Sequence, residues 1–378
     1  MRNIHWIGAG LSSTFGIDEL IAHPKGCLHL WMRDPSKAAS RWKESAQVSI
    51  HQYDLDRLGA VLSKGDIVVS MLPFTMHLSL AQIALARGAH FVCSSYLSPA
   101  LLELDESARA KGVIVAGEMG LDPGIDHMLA HELVRRYQED KKNIEEDHTV
   151  SFLSLCGGIP ESPGPFCYQF SWSPVGILRA LRQASTWLEE GEPRTVAAPY
   201  QAVKTLRIRG EEFEYYPNRD SLPFIDYYRL PKDRLKHFLR GSIRSQGWQK
   251  AWRDIFHHLP ELSEEGLQAL SQELYGKYSY KDNERDRVVM FIAIDVKNRL
   301  GEIVRTYSAY LDATGNENHH AMTTLVCLPL LTVIEGILEG RYAPGILRPI
   351  ASNQELDRWL QMMALRQIEV QFVTTERI

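Results

Sequence analysis

The sequence predicts an α/β fold: a doubly wound parallel sheet, followed by a mixed α/β domain with a small helical insert. Short apolar and β-branched runs alternate with helix-like segments between Ile4 and Ala116, as parallel β-α-β units require. The first of these runs leads directly into a glycine pair, Gly8 and Gly10. After Thr149 the runs become longer and alternate in polarity, which is typical of antiparallel strands.

The first part contains six predicted strands and four predicted helices. The strands are Ile4–Ile7, Cys27–Met32, Ser49–Tyr53, Ile67–Met71, Phe91–Ser94 and Val113–Ala116. The helix-like segments between them are Ser36–Glu44, Leu55–Leu62, Leu78–Ala86 and Ala100–Ala110. This rhythm predicts a Rossmann sheet that binds a dinucleotide.

The pattern changes at the turn-rich segment 121–126, which we expect to lead into a helix over Met128–Tyr137 and to cross between domains. The second part contains predicted strands at Thr149–Leu155, Thr205–Arg209, Val288–Asp295 and Thr306–Leu311, of which the last two are expected to be antiparallel neighbours. The charged block Pro231–Tyr278 favours helix. In the apolar stretch Ala321–Leu338, the interruptions at Pro329 and Glu335 predict a buried helix after Pro329 rather than a membrane span.

These features predict three regions. Residues 1–125 form the Rossmann domain, and 340–378 pack back on it. Residues 126–230 and 283–339 form the substrate-binding α/β domain, and 231–282 form its helical insert.

The composition argues against several classes of partner. The net charge is −5, from 42 Lys and Arg against 47 Asp and Glu, so no positive field favours nucleic acid or an anionic membrane. The N-terminus lacks the long apolar region of a signal peptide, and the five cysteines form no CxxC pair. We therefore expect a cytoplasmic protein with free thiols and no nucleic-acid or membrane partner.

The segment Gly8-Ala9-Gly10-Leu11-Ser12-Ser13 is a G-x-G-x-x-S variant of the dinucleotide fingerprint. Gly8 permits the tight turn, Gly10 lets the backbone approach a pyrophosphate, and the N–H groups of the following helix start offer an anion site. A chance glycine pair in a strand-helix turn is the alternative. The surrounding six-strand pattern favours cofactor binding. We therefore expect Leu11, Ser12 and Ser13 to contact the cofactor as well.

The end of the second strand bears on the choice between NADP and NAD. Arg33 and Lys37 are suited to a 2′-phosphate and predict NADP, whereas Asp34 would favour the ribose hydroxyl of NAD. A solvated Arg33 in a turn is the alternative. Asp34 directly precedes Pro35, so we expect it to turn outward and cap a helix.

Polar groups follow the other strands at the carboxyl edge of the sheet, where ligands bind in open parallel sheets. We expect Asp54, Ser70, Leu72 and Ser94 to contact the cofactor. Ordinary turn roles are the alternative for each of them.

Several longer segments make a more specific case. They are Ser95-Tyr96-Leu97-Ser98-Pro99-Ala100, the stretch 117–127 (GEMGLDPGIDH), Cys156-Gly157-Gly158-Ile159-Pro160, Phe170-Ser171-Trp172-Ser173-Pro174, Tyr216-Pro217-Asn218-Arg219-Asp220-Ser221 and Arg240-Gly241-Ser242-Ile243-Arg244. In this order they closely resemble the saccharopine reductase family, the glutamate-forming saccharopine dehydrogenases. The resemblance runs from Gly8 to about Arg348.

The resemblance implies a three-part enzyme, usually a homodimer, with NADP as cofactor and an amino-acid substrate. It implies that Tyr96, Asp122 and Cys156 surround the reacting carbon and that Arg219 binds a substrate carboxylate. Ser95, Phe170, Trp172 and Ser242 match other residues of the substrate cavity.

The chemistry implied is hydride loss from a secondary amine, followed by hydration of the iminium and cleavage of the C–N bond. Asp122 is the candidate proton acceptor, with helix capping as its alternative role. Cys156 could protonate or position an intermediate, or act as a small packing group. Arg219 suits a carboxylate, with a surface salt bridge to Asp220 or Asp226 as the alternative.

We therefore expect interconversion of L-saccharopine, NADP and water with L-glutamate, 2-aminoadipate 6-semialdehyde and NADPH. One alternative is an imine-reducing dehydrogenase that forms a carboxyalkyl polyamine, and another is a non-catalytic dinucleotide-binding regulator. The segment 315–320 departs from the family pattern. No metal is expected, because adjacent His319 and His320 point to opposite faces of a strand.

Overall fold

The computed structural model describes residues 2–36, 41–43, 45–145, 147–349 and 352–377. The chain divides into two compact units, Met1–Ile125 with Thr323–Met363 and Asp126–Met322 with Ala364–Ile378. Most of the predicted helix Ser36–Glu44 lies outside the described residues, as does Lys37.

The first unit is built on a seven-stranded parallel sheet of order β15-β6-β5-β4-β1-β2-β3. Its strands are β1 Asn3–Ile7, β2 Cys27–Met32, β3 Val48–Gln52, β4 Ile67–Ser70, β5 His90–Cys93, β6 Ile114–Ala116 and β15 Gly345–Leu347. All six predicted strands are present. The chain order reverses between β1 and β4, and ligands bind at such a reversal in doubly wound sheets.

The helices that cover this sheet bury apolar faces on it. They are Thr14–Ala22, Leu55–Val61, His77–Arg87, Pro99–Leu102, Asp105–Lys111, the part of Ala321–Leu338 from Thr323 onward, and Asn353–Ala364. Leu80 and Ala84 pack with Val68 and Phe91 in one buried cluster. The predicted helix Ala100–Ala110 is instead two short helices.

The helix Ala321–Leu338 begins earlier than predicted and passes through Pro329. Its start is fixed by Asp286, whose carboxylate accepts from the backbone N–H groups of Ala321 at 2.5 Å and Met322 at 2.8 Å. An acidic cap of this kind stabilises a helix N-terminus. The helix is long and apolar enough to cross a membrane, but 78 % of it is buried within the fold, as expected for a core helix.

The second unit contains a nine-stranded mixed sheet. Its strands are β7 Thr149–Pro160, β8 Ser185–Glu189, β9 Glu192–Val196, β10 Lys204–Ile208, β11 Glu211–Pro217, β12 Leu235–Ser245, β13 Asp286–Lys297, β14 Ile303–Thr314 and β16 Val370–Glu376. The main order is β10-β11-β12-β7-β13-β14-β16, with β8 and β9 paired beside β12. Only the β12–β7 pairing is parallel among the described strands of this sheet. The predicted antiparallel pairing of β13 with β14 is confirmed.

The helices of this unit surround the sheet. They are Ile125–Glu139, Lys141–Glu145, Pro174–Arg182, Pro223–Tyr228, Trp248–Ala251, Arg253–His258 and Glu264–Tyr278.

Two regions differ from their predicted placement. The block predicted as a helical insert, 231–282, contains β12, and its helices begin only at Trp248. The charges of β12 favoured helix in the sequence, but Arg240 and Arg244 are buried in the sheet. In the C-terminal region, β16 hydrogen-bonds to β14 of the second sheet, so residues 364–378 belong to the second unit.

Candidate active site

The glycine loop follows β1 at the reversal point of the first sheet. Gly8 has φ +97°, and its N–H donates to the Trp31 carbonyl at 2.8 Å. A Cβ there would lie 3.2 Å from the Met71 carbonyl oxygen. A Cβ on Gly10 would meet no atom within 4 Å among the described residues. The fold thus requires glycine at position 8, whereas glycine at position 10 suits a ligand that approaches the backbone, as a pyrophosphate does.

The helix after this loop packs closely on β1 without a third glycine in the fingerprint. Ser13 is buried at the third position, and its side chain makes no capping hydrogen bond. Three residues later, a Cβ on Gly16 would lie 2.4 Å from the Trp6 ring. Gly16 therefore provides the close helix–strand contact that the third glycine of the fingerprint usually provides. The sequence motif did not indicate Gly16, because this residue lies outside the fixed G-x-G-x-x-G spacing.

The helix Ala321–Leu338 is hydrogen-bonded to the same loop and to the start of the helix that follows it. Cys327 Sγ donates to the Ser12 carbonyl at 3.1 Å, and Thr323 Oγ1 accepts from Phe15 N–H at 3.4 Å. Leu11 is partly exposed at the tip of the loop. The backbone N–H groups at the helix start are thereby held where an anion could approach.

The end of β2 carries Arg33 and Asp34, both exposed. Asp34 Oδ1 accepts from Ser36 N–H at 3.1 Å and from Ser36 Oγ at 2.6 Å, so this carboxylate is engaged in its own turn. After β3, Asp54 caps the helix Leu55–Val61 by accepting from Arg57 N–H at 2.8 Å. A cofactor could therefore contact Asp54 through its backbone or through its second carboxylate oxygen.

The ends of β4 and β5 are joined through a histidine that sequence reasoning missed. His77 Nδ1 lies 3.0 Å from Ser70 Oγ, and its Nε2 lies 3.1 Å from Ser95 Oγ. Burial lowers the pKa of His77 to about 4. Nearby, Ser94 Oγ donates to Met71 Sδ at 3.9 Å, and Leu72 lies against Gly8.

Tyr96 and Asp122 form a half-buried pair in the first unit, in which Tyr96 Oη donates to Asp122 Oδ1 at 2.8 Å. The loop around Tyr96 is held by Glu118, whose N–H donates to the Ser95 carbonyl at 2.8 Å. Arg348 in turn donates to the buried Glu118 carboxylate at 2.7 Å. The phenol and the carboxylate are therefore fixed relative to each other, with a proton available between them.

In the second unit, Cys156 lies in the middle of β7. It is directly opposite Ser242 of β12, which is directly opposite Tyr216 of β11. Residues opposite each other on neighbouring strands project from one face of a sheet, so these three side chains share a face. A Cβ on the following Gly157 would lie 2.2 Å from the Ile243 carbonyl oxygen, so this close strand approach requires glycine.

Arg219 is exposed and has φ +58°, a left-handed backbone that few residues other than glycine adopt. The conformation is held from both sides. Its carbonyl accepts from Thr186 N–H at 2.9 Å, and Ser221 N–H donates to the Thr186 carbonyl at 2.8 Å. Such strain in a well-held segment is common at binding sites.

Arg244, two residues after Ser242, is a buried cation that sequence reasoning missed. Its Nη2 donates to Tyr216 Oη at 2.5 Å and its Nη1 to the Ile243 carbonyl at 2.7 Å. The Tyr168, Tyr216 and Trp248 rings lie 5.1, 5.1 and 5.6 Å from the guanidinium carbon.

No described carboxylate forms an ion pair with Arg244, and its buried Nε has no hydrogen-bond acceptor among the described residues. Glu214, opposite it on β11, accepts instead from Gly247 and Gln249 N–H groups at 2.9 and 2.7 Å. Burying a guanidinium without a counterion is costly, so an anionic ligand would stabilise this position strongly.

Phe170 and Trp172 belong to the aromatic wall near this cation. Phe170 is buried against Trp248 and Trp252, and Trp172 is half-buried beside them. Between them, Ser171 Oγ is buried and has no hydrogen-bond partner among the described residues. The wall is apolar and neutral apart from Arg244, and burial raises the pKa of Tyr168 to about 12.

Within the described part of the chain, no group of three or more His, Cys, Asp or Glu side chains could hold a metal ion. His320 Nδ1 instead lies 3.4 Å from Asp286 Oδ1, the cap of the helix Ala321–Leu338.

Comparison with known proteins identifies the family. Residues 4–116 match the sequence profile of the saccharopine dehydrogenase NADP binding domain, and residues 120–368 match that of the saccharopine dehydrogenase C-terminal domain. A relative from Pyricularia oryzae, named saccharopine dehydrogenase (NADP(+), L-glutamate-forming), is 28 % identical over 406 residues, covering 85 % of this chain and 87 % of the relative.

Solved structures agree. The apo histidine-tagged saccharopine dehydrogenase (L-Glu forming) from Saccharomyces cerevisiae has a TM-score of 0.81 at 26 % identity, with 99 % of this chain and 100 % of that chain covered. A homospermidine synthase from Legionella pneumophila, in complex with NAD, has a TM-score of 0.64 at 10 % identity, with 100 % and 91 % covered, and shares the fold alone. The chain therefore belongs to the saccharopine dehydrogenase family of oxidoreductases, with an NADP-binding domain at its N-terminus.

Proposed function

We propose that this chain interconverts L-saccharopine, NADP and water with L-glutamate, 2-aminoadipate 6-semialdehyde and NADPH. The observation that carries the proposal is Arg244, a buried guanidinium without a carboxylate partner among the described residues of the substrate unit. A substrate with several carboxylates supplies the missing anion. The name of the Pyricularia relative, L-glutamate-forming, is in keeping with this substrate.

The same observation weighs against a polyamine product. The buried guanidinium of Arg244 would repel a cationic polyamine chain. Arg219 lies on the same unit, and a guanidinium group can bind a carboxylate bidentately. This arrangement favours saccharopine over a carboxyalkyl polyamine.

In this proposal the first unit holds NADP and the second holds the substrate. Gly8, Gly10 and the N–H groups after Leu11 would hold the pyrophosphate, and Arg33 would pair with the 2′-phosphate. Bound NADP would supply the acceptor for the hydride that leaves the substrate carbon. Asp122 accepts a proton, Tyr96 keeps that carboxylate oriented through its 2.8 Å hydrogen bond, and Cys156 positions the intermediate.

The direct test mixes purified protein with saccharopine and NADP. We expect reduced-nicotinamide absorbance to rise in step with the appearance of glutamate. Cofactor binding without turnover would support the non-catalytic alternative, and reductive coupling of a keto acid to a polyamine would support the other enzyme.

Arg219→Ala tests the second carboxylate clamp. Loss of a charged partner costs about 2–5 kcal/mol, so the saccharopine KM should rise at least about 30-fold while NADP binding stays nearly unchanged. Arg229→Ala is the matched control, because Arg229 is also an exposed arginine of this unit with φ +58°. Equal effects of the two substitutions would remove Arg219 from the site.

A homodimer and a cytoplasmic location complete the proposal. The cysteines at positions 27, 93, 156, 167 and 327 are not in disulfides, in keeping with a reducing compartment. Light scattering of the purified protein tests the dimer, and a monomer at working concentration would reject it.

A further inference from the structure

We propose that Glu118 and Arg348 form a positioning pair that holds the Tyr96 phenol against the Asp122 carboxylate. The inference rests on the proposed function, in which Asp122 accepts a proton and Tyr96 orients that carboxylate. All four residues belong to the first unit. In this inference Glu118 and Arg348 bind neither substrate nor cofactor, and they act through the loop that carries Tyr96.

Three neighbouring strands bring these residues together. β5, β6 and β15 are adjacent and parallel in the first sheet, so the segments that follow them meet at its carboxyl edge. Tyr96 follows β5, Glu118 follows β6, and Arg348 directly follows β15. The Gly117 N–H donates to the Leu347 carbonyl at 3.1 Å, so the pairing of β6 with β15 continues up to the glutamate.

Glu118 is hydrogen-bonded to the chain on both sides of Tyr96. Its backbone N–H donates to the Ser95 carbonyl at 2.8 Å, and its Oε1 accepts from the Leu97 N–H at 3.4 Å. Its Oε2 lies 2.7 Å from both Nε and Nη2 of Arg348. The residues before and after the tyrosine are therefore tied to one glutamate, and the ion pair fixes the direction of its side chain.

The backbone of Glu118 indicates that this arrangement is enforced by its surroundings. Glu118 is only 2 % exposed and has φ +62°, a left-handed conformation that is costly for a residue with a Cβ. Such a conformation persists only where many contacts hold it, and it is common at active sites. A Cβ on Gly117 would lie 2.5 Å from the Leu97 side chain, so this segment packs directly on the Tyr96 loop.

A fixed loop gives the phenol a fixed direction. Tyr96 Oη donates to Asp122 Oδ1 at 2.8 Å, and both side chains are half-buried, so water can compete for this carboxylate if the loop moves. A misplacement of about 1 Å at a reacting group can lower a rate about 100-fold. Loss of the ion pair should therefore lower turnover through Tyr96.

Glu118→Gln tests the pair because it keeps the shape of the side chain and removes its charge. We expect kcat with saccharopine and NADP to fall about 10- to 100-fold. The saccharopine KM and the NADPH Kd, measured by fluorescence titration, should change less than about threefold. Arg348→Gln should have the same effect, and the double variant should be no worse than either single one, since the two residues act as a unit. Arg348 is 29 % exposed, so its variant tests the pair even if Glu118→Gln fails to fold.

Two further measurements separate positioning from a general loss of packing. In a Tyr96→Phe background, Glu118→Gln should lower kcat by less than about a further twofold, because the hydroxyl through which it acts is gone. Hydrogen exchange followed by mass spectrometry should show faster exchange in the peptide that contains Ser95 and Leu97. The exchange measurement needs neither substrate nor cofactor.

Glu355→Gln is the matched control. Glu355 lies 2.8 Å from Arg341 in the same unit, and these side chains are 12 % and 15 % exposed. Its loss should lower Tm as the loss of Glu118 does. It should leave kcat and the exchange of the Tyr96 loop unchanged.

An equal fall in kcat for Glu118→Gln with and without the Tyr96 hydroxyl would overturn the inference. So would a kcat that falls no further than in Glu355→Gln, or unchanged exchange of the Tyr96 loop. Failure of the parent protein to turn over saccharopine would instead reject the proposed function. The exchange measurement would then still decide whether the ion pair holds the loop.

Discussion

At the residue scale, Arg244 carries the strongest constraint on the substrate. The residue is only 6 % exposed. Its guanidinium donates hydrogen bonds to a phenol and a backbone carbonyl and is surrounded by aromatic rings. Cation–π contacts and neutral hydrogen bonds offset only part of the desolvation of a buried charge. The residue is therefore expected to weaken the free protein and to strengthen binding of an anion.

Arg244→Met tests both effects, on the stability of the free protein and on the binding of the anionic substrate. The saccharopine KM should rise at least about 30-fold, since a buried charge pair is worth about 2 kcal/mol or more. The free energy of unfolding should stay level or increase, because an uncompensated charge is replaced by a side chain of similar length. Kinetics and urea unfolding measure the two effects.

Arg207→Met is a suitable control for Arg244, since Arg207 is an exposed arginine of the same sheet that pairs with Glu212 at 2.6 Å. It should change neither quantity by more than a small factor. A clear loss of stability with an unchanged KM for Arg244→Met would show that the arginine is structural.

Asp122 and Cys156 make a second pair of predictions for turnover. Asp122→Ala should lower kcat more than Cys156→Ser, because a hydroxyl still forms hydrogen bonds where the thiol did. Single-turnover measurements separate hydride transfer from product release. If both variants fold and keep full kcat, proton transfer runs through water or through substrate groups.

Cofactor choice depends on Arg33 and Asp34. Asp34 accepts from Ser36 in its own turn, so Arg33 is the charged group that the described part of this turn offers to a 2′-phosphate. NADP should exceed NAD in kcat/KM by at least about tenfold, equivalent to roughly 1.4 kcal/mol. Arg33→Ala should remove most of that preference by weakening NADP use alone. A parent enzyme that works equally well with NAD would place Asp34 at the ribose instead.

At the element scale, the first sheet should respond to acid. Burial lowers the pKa values of His29, His77 and His90 to about 4, below the 6.5 of an exposed imidazole. Between pH 6.5 and 4, these imidazoles therefore bind protons in the unfolded chain but not in the folded chain. The stability is fully present above pH 6.5, falls as the pH drops from 6.5 toward 4, and levels off below.

For His77, the most buried of the three, the loss is about 3 kcal/mol over this range. Urea unfolding at pH 7, 6, 5 and 4 measures it, and His77→Phe should flatten the pH dependence. The Asp66 carboxylate, hydrogen-bonded to His5, does not contribute to this fall, since its pKa is lowered from 3.8 and its stabilisation is lost only below about pH 4. Stability that stays constant down to pH 4 would mean that these imidazoles are accessible to protons.

The elements also show why some predictions succeeded. The six parallel strands have apolar runs between turn-forming residues, and local periodicity is enough to find such strands. β15, Gly345–Leu347, was missed because it is short and joins the sheet beside β6, which is more than 200 residues earlier in the chain. β12 was missed because its burial accommodates Arg240 and Arg244, which local composition assigns to a solvated helix.

At the scale of the whole molecule, the chain passes from one compact unit to the other three times, after Ile125, Met322 and Met363. The helix Ala321–Leu338 was predicted for the substrate domain, yet from Thr323 it belongs to the first unit and supports the glycine loop through Thr323 and Cys327. Sequence order alone gives no sign of such a return, because the passes after Met322 and Met363 lie within the helices Ala321–Leu338 and Asn353–Ala364.

The sequence by itself determined the parallel α/β class, the glycine loop and the family resemblance, because these depend on residue types at short, fixed spacings. Only the tertiary structure showed which groups surround Gly16, His77 and Arg244, and so which roles these residues can take. Each role depends on what lies opposite in space: the Trp6 ring at Gly16, the hydroxyls of Ser70 and Ser95 at His77, and the absence of a described carboxylate partner at Arg244. Burial, electrostatic environment and hydrogen-bond direction depend on groups that are far apart in the sequence. The chemistry of these residues is therefore defined only when folding brings the groups together.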